Sequence, residues 1–184
     1  MKVVQSLATD RLILRRWRTA DREAFQALNA DPRVMEFFPA ILTPEETDAG
    51  IARIEQHFDR YGFGLYAAEL IETETFIGFI GLNVPAFEAS FMPAVEIGWR
   101  LAFDRWGQGL ATEGARVVVR HAFETVGISS LVSFTVPANF RSRRVMENIG
   151  MVRDPAGDFD HPSVPEDHPL RRHVLYRLHS HASA

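Results

Sequence analysis

Short apolar runs alternate with helical spacings along the chain, and together they predict a mixed fold. Runs rich in β-branched and aromatic residues are too short for helices and are typical of strands. The predicted strands cover residues 11–17, 64–70, 76–83, 94–101, 131–136 and 172–178. Apolar residues at helical spacing predict helices. These helices cover residues 19–29, 43–61, 109–126 and 139–149. The predicted fold class is α/β of the mixed α+β kind, with a central sheet of about six to seven strands flanked by helices.

Local signals predict where several helices begin. Thr19 and Asn139 are residue types that accept hydrogen bonds from the first backbone N–H groups of a helix, so both are expected N-caps. Asp31, which precedes a proline, predicts the start of a further helix. Thr43 and Glu46 have the spacing of a capping box.

A strand, a glycine turn and a helix follow one another between residues 94 and 126. Gly107 and Gly109 allow positive φ angles and a close approach of the backbone to a ligand. The first N–H groups of the following helix lack intrahelical acceptors, which favours phosphate binding. The turn is neither GxxxxGK[ST] nor GxGxxG, because no lysine follows Gly109 and Thr112 stands where a third glycine would be. The alternative is a turn that only tightens the connection between strand and helix.

Residues 106–111, WGQGLA, resemble the Q/R-x-x-G-x-G/A pyrophosphate loop of the GCN5-related N-acetyltransferases, the GNAT superfamily. Residues 96–99 and 139–151 resemble the family's strand before this loop and its next helix. Residues 9–15 and 31–35 resemble the opening of the RimJ/RimL-like branch, which acetylates ribosomal-protein N-termini or other amines. The resemblance covers about residues 7–178, the core of a single N-acetyltransferase domain expected over residues 1–184.

The resemblance implies an acetyl-CoA-dependent N-acetyltransferase that transfers the acetyl group directly to a primary amine in a ternary complex. In this family, two parallel strands splay apart and bind the acyl-CoA. Trp106 departs from the usual Gln or Arg of the loop and removes one polar contact. The residues implied in cofactor binding are Trp99, Leu101, Trp106, Gly107, Gln108, Gly109, Leu110, Ala111, Thr112, Asn139 and Ser142.

The resemblance also indicates candidate catalytic residues. Glu96 matches a glutamate that acts as general base, often through water, whereas the alternative is a solvated glutamate or one paired with an arginine. Met146 stands where many members have a tyrosine acid. Ser142 is the nearest substitute as proton donor to the leaving thiolate, although its hydroxyl is equally placed to bond the helix backbone.

Composition narrows the functional classes. The absence of cysteine excludes disulfides, thiolate metal sites and a cysteine nucleophile, and it fits a reducing compartment. A net charge of −4 disfavours a general nucleic-acid binder. No apolar run approaches the ~20 residues that cross a bilayer, and the first six residues are too polar for a signal peptide. A cytoplasmic protein is expected, and a homodimer is left open.

Several features leave the acceptor open between a peptide N-terminus and a small molecule. An aromatic group is expected either in an acceptor pocket or in the core: Trp17, Phe37, Phe38 and Tyr61. The acidic segment 154–169 either attracts a cationic substrate or is ordinary charged surface. Arg141, Arg143 and Arg144 either meet the cofactor or form a solvated helix face.

Other chemistries are disfavoured or remain as alternatives. The histidines near the chain end match no zinc spacing, so no metal site is expected. No G-x-S-x-G occurs, which disfavours a serine hydrolase. The alternatives are transfer to a hydroxyl, use of a longer acyl-CoA, and a CoA-binding regulatory or interaction module without turnover.

Overall fold

The computed structural model describes residues 5–180. In this part of the chain nine strands are β1 Ser6–Ala8, β2 Leu12–Arg15, β3 Leu65–Leu70, β4 Thr75–Asn83, β5 Glu96–Leu101, β6 Ser130–Thr135, β7 Val152–Arg153, β8 Phe159–Asp160 and β9 Arg172–His179. The α-helices are α1 Asp21–Ala30, α2 Pro44–Tyr61, α3 Leu110–Arg120 and α4 Phe140–Asn148. A π-helical turn, His121–Val126, extends α3. No helix within residues 5–180 is long and apolar enough to span a membrane.

The strands form one open sheet in the order β1-β2-β3-β4-β5-β6-β9-β7, and β8 pairs with β9. Every pair is antiparallel except β5 and β6, which are parallel. The mixed α/β fold expected from the sequence is confirmed. The sheet has nine strands where about six to seven were expected, because β1, β7 and β8 contain only two or three residues and leave no periodic signal.

Two of the expected helix starts are confirmed. Thr43 and Glu46 make both hydrogen bonds of the capping box at the start of α2. Asn139 caps α4, since its Oδ1 accepts the N–H of Ser142 at 3.1 Å. Thr19 does not cap α1, which begins at Asp21 after a helical residue without a side-chain cap bond.

The helix expected from Asp31 is absent, and residues 32–39 form turns instead. The Asp31 carboxylate accepts the N–H of Arg33 at 2.9 Å and also pairs with its guanidinium. The turn ends before Pro39, which disfavours helical backbone at Phe38. The loop places the ring of Phe38 over the sheet, with its centroid 4.1 Å from Cζ of Arg100 on β5.

The two faces of β5 carry different groups. Side chains alternate along a strand, so Glu96, Gly98 and Arg100 share one face. Arg100 lies opposite Phe79 on β4, and the Phe79 ring lies 6.0 Å from that of Phe25 in α1. This face is therefore the one covered by α1.

The other face of the sheet packs against α3. A Cβ placed at Gly114 would lie 2.4 Å from Cδ1 of Ile80, so a larger residue at this position would require the Ile80 side chain to shift. Ile80 pairs with Trp99 of β5 and shares its face. The side chains of β5 therefore face α1 and α3 alternately.

Candidate active site

A cleft opens where β5 and β6 part. Their register contains one pair, Glu96 with Val132, and the N–H of Val132 donates to the carbonyl of Val95 at 2.9 Å. Beyond this point β5 remains paired with β4, while β6 remains paired with β9. The splayed parallel strands expected from the sequence are thus present. The cleft has a volume of about 760 Å³, in the range of small-molecule sites.

The glycine loop lies at one end of this cleft. Gly107 and Gly109 have φ angles of 73° and 78°, which glycine adopts without strain. The backbone N–H groups of residues 107–112 have no hydrogen-bond acceptor within residues 5–180. Unpartnered N–H groups at a helix start, together with the helix dipole, suit the pyrophosphate of a nucleotide. The geometry of the loop therefore suits an anion, in addition to connecting the strand to the helix.

The segment at residues 9–15 holds this loop in place. Thr9 Oγ1 donates to Glu113 of α3 at 2.6 Å, and the Arg11 guanidinium forms a 2.6 Å salt bridge with the same carboxylate. Arg11 Nη1 also donates to the carbonyl of Gln108 at 3.0 Å. Sequence reasoning found the segment only as part of the family resemblance, because no local pattern indicates contacts about a hundred residues apart.

The structure places all but one of the predicted site residues on the cleft. Those on its wall are Glu96, Trp99, Leu101, Trp106, Gly107, Gly109, Leu110, Ala111, Thr112, Asn139 and Ser142. Gln108 does not line the cleft, and its Nε2 donates to the carbonyl of Asp104 at 2.9 Å. The side chain of Gln108 therefore stabilises the loop through this hydrogen bond.

Trp106 takes the place of a polar loop residue and uses its own polar group within the protein. Its Nε1 donates to the carbonyl of Leu101 at 2.8 Å. The Arg141 guanidinium lies 4.6 Å from its ring centroid and forms a 2.6 Å salt bridge with Glu36. Trp106 therefore contributes an apolar surface to the cleft and leaves polar contacts to the backbone.

Glu96 lies at the point where β5 and β6 separate, partly exposed to the cleft. Burial raises the pKa of Glu96 to about 7, and a hydrogen bond from Asn83 Nδ2 to its Oε2, at 3.3 Å, acts in the opposite direction. No arginine pairs with it within residues 5–180. A carboxylate that is about half ionised at neutral pH suits proton transfer.

Gly98 leaves room beside this carboxylate. A Cβ at Gly98 would have only one neighbour within 4 Å, the Glu96 Oε1 at 3.8 Å. Because Gly98 and Glu96 share a face of β5, the open space lies next to the carboxylate. An acceptor amine can therefore approach Glu96 from the side of α1.

The start of α4 brings Ser142 to the cleft. Asn139 is engaged on both sides of its amide, since its Oδ1 caps α4 and its Nδ2 donates to Thr135 Oγ1 at 3.1 Å. The hydroxyl of Ser142 makes no hydrogen bond in the described part of the chain, so it is available to a ligand. Met146 also lines the cleft, but its side chain is buried and its thioether has no proton to donate.

The three arginines at this helix have different surroundings. Arg143 donates to Tyr176 Oη at 3.2 Å and to the carbonyl of Pro137 at 3.0 Å, so it stabilises the protein. Arg141 and Arg144 line the cleft. Arg141 is already paired with Glu36, so Arg144, which has no carboxylate partner within residues 5–180, is the cation of this helix best placed to meet a negatively charged ligand.

Of the four aromatic residues considered for an acceptor pocket, only two line the cleft. Phe37 and Phe38 line the cleft. Trp17 packs in the core, where its Nε1 donates to the carbonyl of Leu65 at 2.8 Å, and Tyr61 lines a neighbouring cavity. An aromatic wall is therefore formed by the loop after α1.

Most of the acidic residues of segment 154–169 are paired with arginines from adjoining parts of the chain. The pairs are Asp154 with Arg177, Asp158 with Arg153, Asp160 with Arg172 and Glu166 with Arg171. These pairs match the interpretation of the segment as charged surface.

Two histidines of the late chain line the cleft, which the sequence did not predict. The rings of His161 and His173 lie 5.0 Å apart, and burial lowers the pKa of both. No group of three or more possible metal ligands occurs within residues 5–180, and His181 lies outside these residues.

Comparison with known proteins gives the family. Residues 11–152 match the family model described as an acetyltransferase (GNAT) domain. The uncharacterized protein YkkB of Bacillus subtilis (strain 168) is 31% identical over 152 residues, which are 82% of this chain and 87% of that protein.

Solved structures have the same fold. The acetyltransferase from Agrobacterium tumefaciens superposes with a TM-score of 0.77 at 30% identity, covering 96% of this chain and 95% of that one. The RimL ribosomal L7/L12 α-N-protein acetyltransferase in complex with coenzyme A gives a TM-score of 0.75 at 17% identity, covering 94% and 96%, and shows similarity of fold alone. The family model, which matches more than half of the chain, establishes that the chain belongs to the GNAT family, acyltransferases whose acyl donor is acetyl-CoA.

Proposed function

We propose that the protein transfers the acetyl group of acetyl-CoA directly to a primary amine in a ternary complex. The observation that carries this proposal is the position of Glu96 on the cleft, with a pKa near neutrality and open space at Gly98 beside it. The residues proposed for cofactor binding are those of the cleft wall given above, apart from Glu96, together with Gln108. Such a site brings an amine and a base together.

The reaction requires a neutral amine and a proton for the departing thiolate. Acetyl-CoA supplies an activated acetyl thioester when it is bound. Glu96 accepts a proton from the ammonium group, directly or through one water. A backbone N–H on the open edge of β5 polarises the carbonyl oxygen. The neutral amine then attacks the thioester carbon, and the C–S bond breaks as the amide forms. Ser142 donates its hydroxyl proton to the departing sulfur and receives the second proton that the nitrogen loses, because Ser142 lines the cleft and Met146 has no proton to give.

The resemblance of residues 9–15 and 31–35 supports assignment to the RimJ/RimL-like branch. This assignment in turn favours a protein N-terminus as the acceptor. The branch and the acceptor belong to the proposal, as does a cytoplasmic location, which the lack of cysteine supports. Similarity of fold to RimL does not identify the acceptor as a peptide or a small amine, because enzymes with one fold act on many different substrates.

An acceptor panel tests the proposal. Peptide N-termini, polyamines, aminoglycosides and amino acids are offered with acetyl-CoA, free thiol is followed, and products are identified by mass. We expect acetylation of at least one amine, with a product heavier by one acetyl group. Met146 in place of an acid favours a second candidate, a CoA-binding module without turnover. Tight binding of acetyl-CoA by calorimetry without thiol release across the panel would support that module and overturn the proposed function.

A further inference from the structure

A second cavity of about 600 Å³ lies between α1, α2 and the sheet, beside the cleft. The residues shared by the two walls are Leu65, Phe79, Asn83 and Arg100. Asn83 is also the residue that donates to Glu96. The second cavity therefore adjoins the cleft on the face of β5 from which an amine approaches Glu96.

The wall of this cavity is positively charged. It contains the guanidinium groups of Arg53, Arg60 and Arg100, and no aspartate or glutamate occurs among its described lining residues. Arg53 and Arg60 are exposed, so the positive charge extends to the rim. A concave wall with charges of one sign raises the local concentration of ions of the opposite sign.

Arg100 is the deepest of these cations and lacks a carboxylate partner within residues 5–180. Its Nη1 donates to Asn29 Oδ1 at 2.6 Å, and its Cζ lies 4.1 Å from the ring centroid of Phe38 and 5.5 Å from that of Phe79. Its Nε is buried without a hydrogen-bond acceptor in the same part of the chain. Burial lowers the pKa of Arg100 to about 10, which leaves the group charged at neutral pH.

A charged guanidinium held among aromatic rings with one neutral acceptor is unusual, because buried charges are normally paired. Nη1 already donates to Asn29 and Nε is buried, so Nη2, which makes no hydrogen bond within residues 5–180, is the nitrogen open to donate a charge-assisted hydrogen bond to a carboxylate ligand. The missing partner of Arg100 is therefore expected to come from a ligand.

We propose that this basic cavity binds a carboxylate of the acceptor, so that the acceptor is an amine that also carries a carboxylate. The inference rests on the proposed function, since it places the reacting nitrogen at Glu96. Arg100 lies four positions after Glu96 along β5, which corresponds to roughly 13 Å between their Cα atoms. The acceptor therefore has its amine and its carboxylate roughly 10 Å apart, a span of about three peptide residues.

Matched acceptors test the inference. Trialanine and trialanine amide have the same length and amine and differ in the terminal charge, whereas glycine and glycinamide are too short to reach both groups. We expect kcat/KM for trialanine to exceed that for its amide by about tenfold, the effect of one hydrogen-bonded charge, and the two short compounds to show no such preference.

Variants identify the cavity as the cause. Arg100→Gln should lower the ratio of kcat/KM for trialanine over trialanine amide about tenfold, and Arg53→Gln at the exposed rim should lower it by a smaller factor without affecting folding. Arg120→Gln is the control, because Arg120 is exposed on α3 and lines neither cavity. Calorimetric titration of the CoA-bound enzyme with trialanine and its amide should show the same order in Kd.

The outcomes separate this inference from the proposed function. Acetylation of both trialanine and its amide at equal kcat/KM, or a ratio unchanged in Arg100→Gln and Arg53→Gln, would overturn the inference and leave the acetyltransferase in place. Absence of turnover with every amine would overturn both. Binding of trialanine to the CoA-bound enzyme no tighter than that of its amide would also exclude a carboxylate site.

Discussion

Asn83 and Glu96 lie opposite each other across β4 and β5, and the Asn83 side chain donates a 3.3 Å hydrogen bond to the Glu96 carboxylate. The bond favours the charged carboxylate, whereas burial favours the neutral acid and is the larger effect. Their balance gives Glu96 a pKa of about 7, so the cleft contains a group that titrates near neutral pH.

Replacement of Glu96 by Gln should lower kcat/KM at least tenfold at pH 8, the order expected for loss of a general base. In the wild type, activity should rise with pH along a limb near pH 7, because the base works when deprotonated. This limb should be missing in Glu96→Gln. The measurement is a pH profile of initial thiol release, with acetyl-CoA Kd as the control for an intact site. An unchanged rate would remove Glu96 from the mechanism.

Asn83→Ala tests whether Asn83 acts through Glu96. Loss of the donor should raise the pKa of Glu96 further, so the rising limb of the pH profile should move to higher pH while the rate on the alkaline plateau stays within about threefold. A uniform loss at every pH, without a shift of the limb, would indicate that Asn83 only supports the local structure.

The central part of the fold was predictable because its signals are local. The strand at 94–101, the glycines at 107 and 109 and the helix after them follow one another in sequence, and the structure uses them in that order. The capping box at Thr43 and the N-cap at Asn139 are also local signals, because each involves residues only three positions apart. Each of these predictions depends on spacing that a single stretch of chain contains.

What the sequence did not predict depends on distant pairs. Thr9 and Arg11 contact Glu113 of α3, about a hundred residues away in sequence, and Arg100 donates to Asn29 only after α1 packs on the sheet. The turn at Asp31 is an exception, because it depends on a local bond to Arg33 that the residue type alone does not reveal. Hydrophobic periodicity predicts which face of a helix or strand is buried. It does not predict which distant residues contact that face.

The titration of Glu96 also affects stability. Because its pKa is raised in the folded protein, the folded state holds the proton more tightly, and this stabilising contribution is lost as pH rises from about 4.5 to about 7. Glu96→Gln avoids the loss and should be more stable than the wild type by about 2 kcal/mol at pH 8, a value reduced from the full shift because the carboxylate is partly exposed.

Urea unfolding at pH 4.5 and pH 8 measures this difference. The two proteins should differ little at pH 4.5, where both side chains are neutral in the folded state, and most at pH 8. A wild type that is the more stable protein at pH 8 would contradict the raised pKa.

Ser142→Ala tests the proposed proton donor. Since the hydroxyl makes no hydrogen bond within residues 5–180, the free energy of unfolding should change by less than about 0.5 kcal/mol. Turnover should fall about tenfold or more, because the thiolate then leaves without a positioned proton. Ser142→Thr keeps a hydroxyl and should recover part of the rate. Full activity of Ser142→Ala would assign the proton to water.

The phosphate-binding role of the glycine loop can be separated from ordinary backbone strain. Gly109 and Gly127 have nearly the same φ, 78° and 80°, at opposite ends of the helical segment that contains α3. Alanine at either position should destabilise the fold by about 1–2 kcal/mol, because both need left-handed backbone. Only Gly109→Ala should also weaken acetyl-CoA binding, by about tenfold or more, since it turns the N–H groups of residues 107–112 away from the pyrophosphate. Calorimetry with acetyl-CoA and thermal unfolding of both variants measure the two effects, and equal affinities in the two variants would mean that these N–H groups do not hold the cofactor.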